Sequence, residues 1–250
     1  MKMLAFATRN TKEILRDMLT LLFGLGFPII LLLLLSAINA GIPKEAAAAN
    51  TMFQIQNLTP GITVFGLSFM SLFSSMLISK DRTTSFILRL FTSPLKPKDF
   101  ILGYTLPLLP MAVVQTAICY IVSLLLGFEF SANMLLALVV NIPMSVVFIA
   151  LGLLFGTVLN EKAVGGICGA LLTNLSAWFS NIWFDTGLVG GWFKTVADIL
   201  PFSHGVNAGR YAVSGEYSQI MPELVWVIVY AVALTVTAII VFSVKMKRDK

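Results

Sequence analysis

The sequence predicts an all-α integral membrane protein with six transmembrane helices. Three observations carry this reading. Of 250 residues, 58% are hydrophobic and only 12% are charged, against about 25% charged in soluble domains. The mean hydropathy is +0.91. Six apolar runs reach the roughly 20 residues that a membrane-crossing helix requires. The net charge of +5 therefore speaks of topology and lipid contact, not of a nucleic-acid footprint.

Residues 1–18 come first. Leu4, Ala7, Thr11, Ile14 and Met18 recur at helical spacing, with Lys2, Arg9, Lys12, Glu13 and Arg16 on the other side. That pattern predicts an interfacial amphipathic helix leading into span one, 19–38. A basic region before Leu31 to Leu35 has the look of a signal peptide. The apolar stretch exceeds the roughly 7–15 residues of a signal core, so the span is read as uncleaved. A polar, Ala-rich loop, 39–57, leads to span two, 58–79, on which Ser68, Ser71, Ser75 and Ser79 form a hydroxyl stripe.

Span three, 100–126, carries Pro107 and Pro110. These predict a kink and freed carbonyls that buried neighbours must satisfy. Span four, 135–159, holds Pro143 and the pair Gly152 and Gly156. Span five, 163–184, opens with Gly165 and Gly169 and carries Thr173, Asn174, Ser180 and Asn181. Residues 185–222 are long for a connection and too apolar for a free linker. Trp192, Phe193, Val196, Ile199 and Leu200 suggest one interfacial helix before Pro201, and Val206 to Val213 a second. Together they predict a re-entrant helical hairpin. Glu223 opens span six, 223–244.

Residues 80–98 form the only long charged segment between strongly apolar runs. Phe86, Ile87, Leu90 and Phe91 share one helical face, Arg82 and Arg89 lie off it, and Ser93-Pro94 ends the helix. Such a helix either lies flat on lipid or presents its apolar face to a soluble partner; the second use is preferred here. Of the 17 Lys and Arg, only Lys44, Lys194 and Arg210 fall on the side opposite the termini. The charged segment and both termini are therefore expected in the cytoplasm.

Apart from Glu223 at the very start of span six, the predicted spans contain no Asp, Glu, Lys, Arg or His, which speaks against a proton-coupled carrier. No GxxxxGK[ST] loop is present, so any ATP used is hydrolysed on another chain. Cys119 and Cys168 fall inside spans and suit packing better than a metal or disulfide. The glycine pairs have the small-xxx-small spacing of close helix contacts, either within one chain, the favoured reading, or at a homodimer seam. Ser68, Ser71 and Ser75, with Thr173, Asn174, Ser180 and Asn181, either bond to neighbouring helices or line a path for an amphipathic solute. His204 beside Ser203 makes a poor nucleophile–base pair, since adjacent side chains diverge. No catalytic residue is assigned. Trp178, Trp183, Trp192 and Trp226 fit an aromatic belt.

The layout resembles the ABC-2 type permeases, the membrane subunits of ATP-binding-cassette exporters. The resemblance rests on two stretches. Asp81-Arg82 leads through Arg89-Leu90 to Thr92-Ser93-Pro94, and Leu200-Pro201-Phe202-Ser203-His204 is followed by Arg210. Ser85 and Phe86 stand where many members have Gly-Thr, and Leu88 where an acidic residue is common, so this coupling helix is unusually apolar. The resemblance implies an exporter fold with coupling residues Asp81, Arg82, Phe86, Ile87, Arg89, Leu90, Phe91 and Pro94. It also implies an exit gate at Leu200, Pro201, His204 and Arg210. The implied partners are an ABC ATPase carrying the ATP and Mg, a second permease (read as a homodimer) and membrane lipids. This chain itself would hold no cofactor or metal. The implied setting is a bacterial plasma membrane. The absence of intramembrane charge and of an external domain points to a hydrophobic or amphipathic small-molecule substrate. A stand-alone six-span channel or carrier, or a scaffold that transports nothing, remains the alternative.

Overall fold

Helix is the only regular structure among the residues that the computed structural model describes, 2–43, 51–84 and 95–248. α1 (Lys2–Arg16) is separated from α2 (Met18–Gly41) by Asp17. The Asp17 carboxylate accepts from the Leu19 amide at 3.1 Å and from Thr20 Oγ1 at 2.8 Å, so it caps the new helix and marks the joint. Then follow α3 (Ile55–Thr83), α4 (Pro97–Leu125) and α5 (Asn133–Val158). α6, residues 161–178, is helical in three pieces around a π-helical middle, Gly165–Leu172. Two short helices, α7 (Thr186–Val189) and α8 (Gly191–Ile199), precede α9 (Pro201–Ser214) and the long α10 (Tyr217–Arg248).

Among the described residues, five helices (α2, α3, α4, α5 and α10) are long and apolar enough to cross a membrane, where the sequence predicts six. The difference lies in span five. Its helix ends at Trp178, not Phe184, because the chain turns at Asn181, which adopts φ 59°. Asn tolerates this left-handed conformation, and here its Oδ1 accepts from both the amide and the hydroxyl of Thr186. Two other boundaries also move. The helix of span two runs on to Thr83 through Lys80, Asp81 and Arg82, and the last helix begins at Tyr217 with Pro222 inside it. At both places charged residues stay helical because they find partners, described below.

α3 is the centre of the bundle. Its apolar window is 89% buried within the chain, against 17% for α2 and for α10, which leaves those two as the outer helices. α3 packs most extensively on α5, and α9 wedges between α5, α10 and α3. The serine stripe explains how α3 sits so deep. Ser68, Ser71, Ser75 and Ser79 each donate to the carbonyl three residues back, which satisfies the hydroxyls internally and leaves small side chains facing outward. Ser74 also donates across to the Ile149 carbonyl at 3.1 Å. Facing this stripe are Gly152 and Gly156, so this glycine pair serves packing within the chain.

The closeness is measurable at Gly152. A Cβ there would lie 2.0 Å from the Ser71 carbonyl oxygen and 2.0 Å from Ser74 Oγ. At Gly165 nothing lies within 4 Å. Gly152→Ala should therefore lower stability by about 1–3 kcal/mol through forced separation of the helices. Gly165→Ala should be neutral or slightly stabilising. Thermal unfolding of the two variants in detergent checks this, and equal midpoints would contradict the packing described.

Candidate functional site

The charged groups gather where α1 meets the end of α3. Asp81, only 1% exposed, is held by a forked pair: Arg9 Nη1 donates to its Oδ2 at 2.7 Å and Nη2 to its Oδ1 at 2.8 Å. The Tyr104 hydroxyl, from α4, donates to Oδ2 at 2.8 Å. Glu13 extends the network, bridging Arg9 at 2.9 Å and Lys80 at 2.7 Å. A carboxylate this buried costs several kcal/mol in desolvation unless fully compensated, and the planar guanidinium supplies both bonds at once. Arg82 points the other way. It donates to the carbonyls of Gly156 and Leu159 at 2.8 and 3.0 Å, capping the C-terminus of α5 where the helix dipole favours a cation.

α1 reaches this position through a fitted contact with α4. Phe6 stacks edge-on against Tyr104, with ring centroids 4.9 Å apart, and occupies the space a Cβ on Gly103 would fill, 2.3 Å from its ring. Pro107 cannot donate to the carbonyl four residues back, and that carbonyl, on Gly103, accepts from Asn10 Nδ2 at 3.1 Å instead. The freed group is thus satisfied by a neighbouring helix, and α4 continues through both prolines. The docked face of α1 is Phe6, Ala7, Asn10 and Ile14; of the expected Leu4, Ala7, Thr11, Ile14 and Met18, Ala7 and Ile14 lie on it and Thr11 is half-buried. Leu4 and Met18 are exposed.

Beside the network opens a groove of about 770 Å³ between α1, α3 and the start of α6. Phe73, Met76 and Leu77 supply an apolar wall, while Lys12, Arg16 and Glu161 stand among its charged lining.

The remaining predicted site residues divide by place. Phe86, Ile87, Arg89, Leu90, Phe91 and Pro94 lie outside the described residues. Ser68, Ser71 and Ser75 are buried in the α3–α5 seam. Thr173 bonds to the Cys168 carbonyl, Asn174, which is exposed, to that of Ala170, and Ser180 to that of Ala177. Asn181 and Arg210 come together at the far end, where Arg210 donates to the Asn181 carbonyl at 2.8 Å and to the Asn57 carbonyl at 3.2 Å. Leu200 is the joint between α8 and α9, with Pro201 as the first residue of α9. His204 contacts Glu223 and the Asp198 carbonyl.

Sequence reasoning missed Arg9, Glu13 and Tyr104 as partners of Asp81, since the Arg9–Asp81 bond joins residues 72 apart. It also missed the buried amides Gln115 and Asn141, which converge on Thr63. An amide inside an apolar span was the available signal. No group of three or more His, Cys, Asp or Glu able to hold a metal occurs among the described residues.

The network ranks its members. Arg9→Ala should destabilise by about 2–3 kcal/mol, short of a fully buried pair because Arg9 is itself 37% exposed. Arg9→Lys should cost less, keeping charge but losing the fork, and Tyr104→Phe about 1 kcal/mol. Thermal unfolding should return that order; a Tyr104→Phe loss equal to that of Arg9→Ala would contradict it.

Two comparisons bear on what this arrangement belongs to. A search of curated proteins returns no match. The family model described as ABC-2 type transporter matches residues 1–213. That stretch contains α1, the Asp81 network and α9 through Arg210. The chain belongs to the ABC-2 type transporter family.

Proposed function

We propose that this chain is the permease subunit of an ABC exporter. It moves a hydrophobic or amphipathic small molecule out of the cytoplasm, driven by ATP hydrolysed on a separate nucleotide-binding subunit. The observation that carries the reading is the Arg9–Asp81–Tyr104 junction. It joins α1, the end of α3 and α4 immediately before residues 85–94, the segment whose apolar positions Phe86, Ile87, Leu90 and Phe91 suit docking to a soluble partner. A push delivered to that segment reaches a junction already tied to three helices.

The groove beside the junction supports the substrate class. An apolar wall beneath charged side chains suits a molecule with a greasy body and a polar head. In this reading the complete transporter pairs the permease with a second copy on a pair of ATPases, which hold the ATP and Mg. It lies in a bacterial plasma membrane with both termini inside. The α8–α9 hairpin closes the outer end of the path.

The test is a Leu90→Glu/Phe91→Glu double variant expressed beside the wild type. Wild-type protein should co-purify with a stoichiometric P-loop ATPase and export dye or lipid-like probes in an ATP-dependent way. The variant should reach the membrane in equal amount, lose the ATPase and lose export. Unchanged co-purification and export would overturn the coupling role.

A further inference from the structure

One side chain of the hairpin makes several contacts at the start of α10. His204, in the first turn of α9, lies between three groups on two other helices. Its Nδ1 pairs with the Glu223 carboxylate of α10, and its Nε2 lies 2.8 Å from the carbonyl oxygen of Asp198 in α8. Its ring stacks on Trp226 of α10, with centroids 5.4 Å apart and planes 8° from parallel. Asn207 Nδ2 donates to the other oxygen of Glu223 at 3.4 Å.

The partners decide the proton count. A carboxylate and a backbone carbonyl are both acceptors, whereas a neutral imidazole offers one N–H and one bare nitrogen. A neutral ring would set a lone pair against one of them. The imidazolium donates to both, and the indole face is a third group that favours a cation. A protonated Glu223 donating to Nδ1 would hold the same additional proton within the cluster. Either way the closed arrangement contains one proton more than a neutral histidine beside an ionised glutamate.

Among the described residues, the charged groups on the helices facing the ring are few. From α8, Asp198 faces the ring through its carbonyl, and its carboxylate is paired with Lys194. From α10 come Glu223 and Trp226. α5 contains no charged residue, and the charges of α3 sit at its opposite end, at 80–82. Burial draws the His204 pKa down, but the bonds to Glu223 and to the Asp198 carbonyl, with the attraction of both carboxylates, outweigh it and hold the pKa above the usual 6.5. A raised folded pKa gives a contribution that is complete below the unfolded value and is lost as pH rises through the folded one. The Tyr230 hydroxyl also joins α10 to α8, donating to the Ile199 carbonyl at 2.9 Å; that bond involves neither His204 nor Glu223 and serves as a hinge.

We propose that His204 is a proton-operated latch, closed on Glu223, the Asp198 carbonyl and Trp226 while the cluster holds its additional proton, and released when that proton leaves. Release removes the His204 contacts between the α8–α9 hairpin and the start of α10, loosening that joint, while leaving the Tyr230 hinge in place. The latch is independent of which substrate is carried and of any ATPase.

Because the chain has one histidine, ¹⁵N-histidine labelling of the full chain in lipid nanodiscs gives a single ring to titrate. The wild type should titrate above pH 6.5, and Glu223→Gln should bring the midpoint to 6.5 or below. Spin labels at Thr195 and Val232 should report a narrow distance that broadens as pH rises through the wild-type midpoint. With His204→Gln the distance should be broad at every pH. A wild-type midpoint at or below 6.5, or a label distance unchanged across the midpoint, would overturn the latch. Neither readout requires transport, so the latch and the exporter reading fail separately.

Discussion

A single ionised carboxylate, buried where three helices meet, constrains this structure more than any other group. Asp81 is inside the protein, and a carboxylate there is tolerable only with its counter-charge and donors in place. That requirement brings Arg9 across from α1 and Tyr104 from α4. The bare Gly103, with its carbonyl freed by Pro107 and taken by Asn10, is the seat that lets α1 arrive. It also accounts for α3 staying helical through Lys80, Asp81 and Arg82, since each finds its partner from the helical position. An amphipathic N-terminal helix that would otherwise rest only on lipid is thereby made part of the bundle.

The middle of the molecule is built on a different rule. Lipid gives no hydrophobic drive between helices, so association rests on close packing and internal hydrogen bonds. α3 and α5 achieve this with serines bonded to their own backbone against glycines with no side chain at all. Polar clusters reappear at the far end, where Arg210 ties α9 to the turn at Asn181 and to the start of α3, and His204 ties α8, α9 and α10. The chain is thus tightly packed through its centre and pinned at each end by ionic and carbonyl contacts.

The membrane class and most apolar helices were legible because they are local properties: composition, run length and hydropathy. Asp81 and Arg82 were legible as the start of a charged segment, but their partners were not. Arg9 is distant in sequence, and nothing in the spacing of α1 names the helix it docks on. Hydrophobic spacing alone places Leu4 on the docked face of α1. The actual choice of Phe6 and Asn10 depends on a hole at Gly103 and a carbonyl freed by Pro107, both on another helix. Charged residues mark the ends of spans two and six in the sequence, yet helices persist where charges are satisfied. Span five reaches Phe184 by apolar composition; the turn depends on the bonds between Asn181 and Thr186, to which hydropathy is blind.

The account stands on α1 and the end of α3 forming one rigid body through Asp81. Spin labels on the exposed positions Thr8 and Thr84 measure this directly in the otherwise wild-type chain, with and without the proposed ATPase partner and nucleotide. A single narrow distance, unchanged through the nucleotide cycle, is the predicted result. A broad distribution, or a distance that shifts when nucleotide binds, would show that α1 moves independently of α3 and would contradict the central claim.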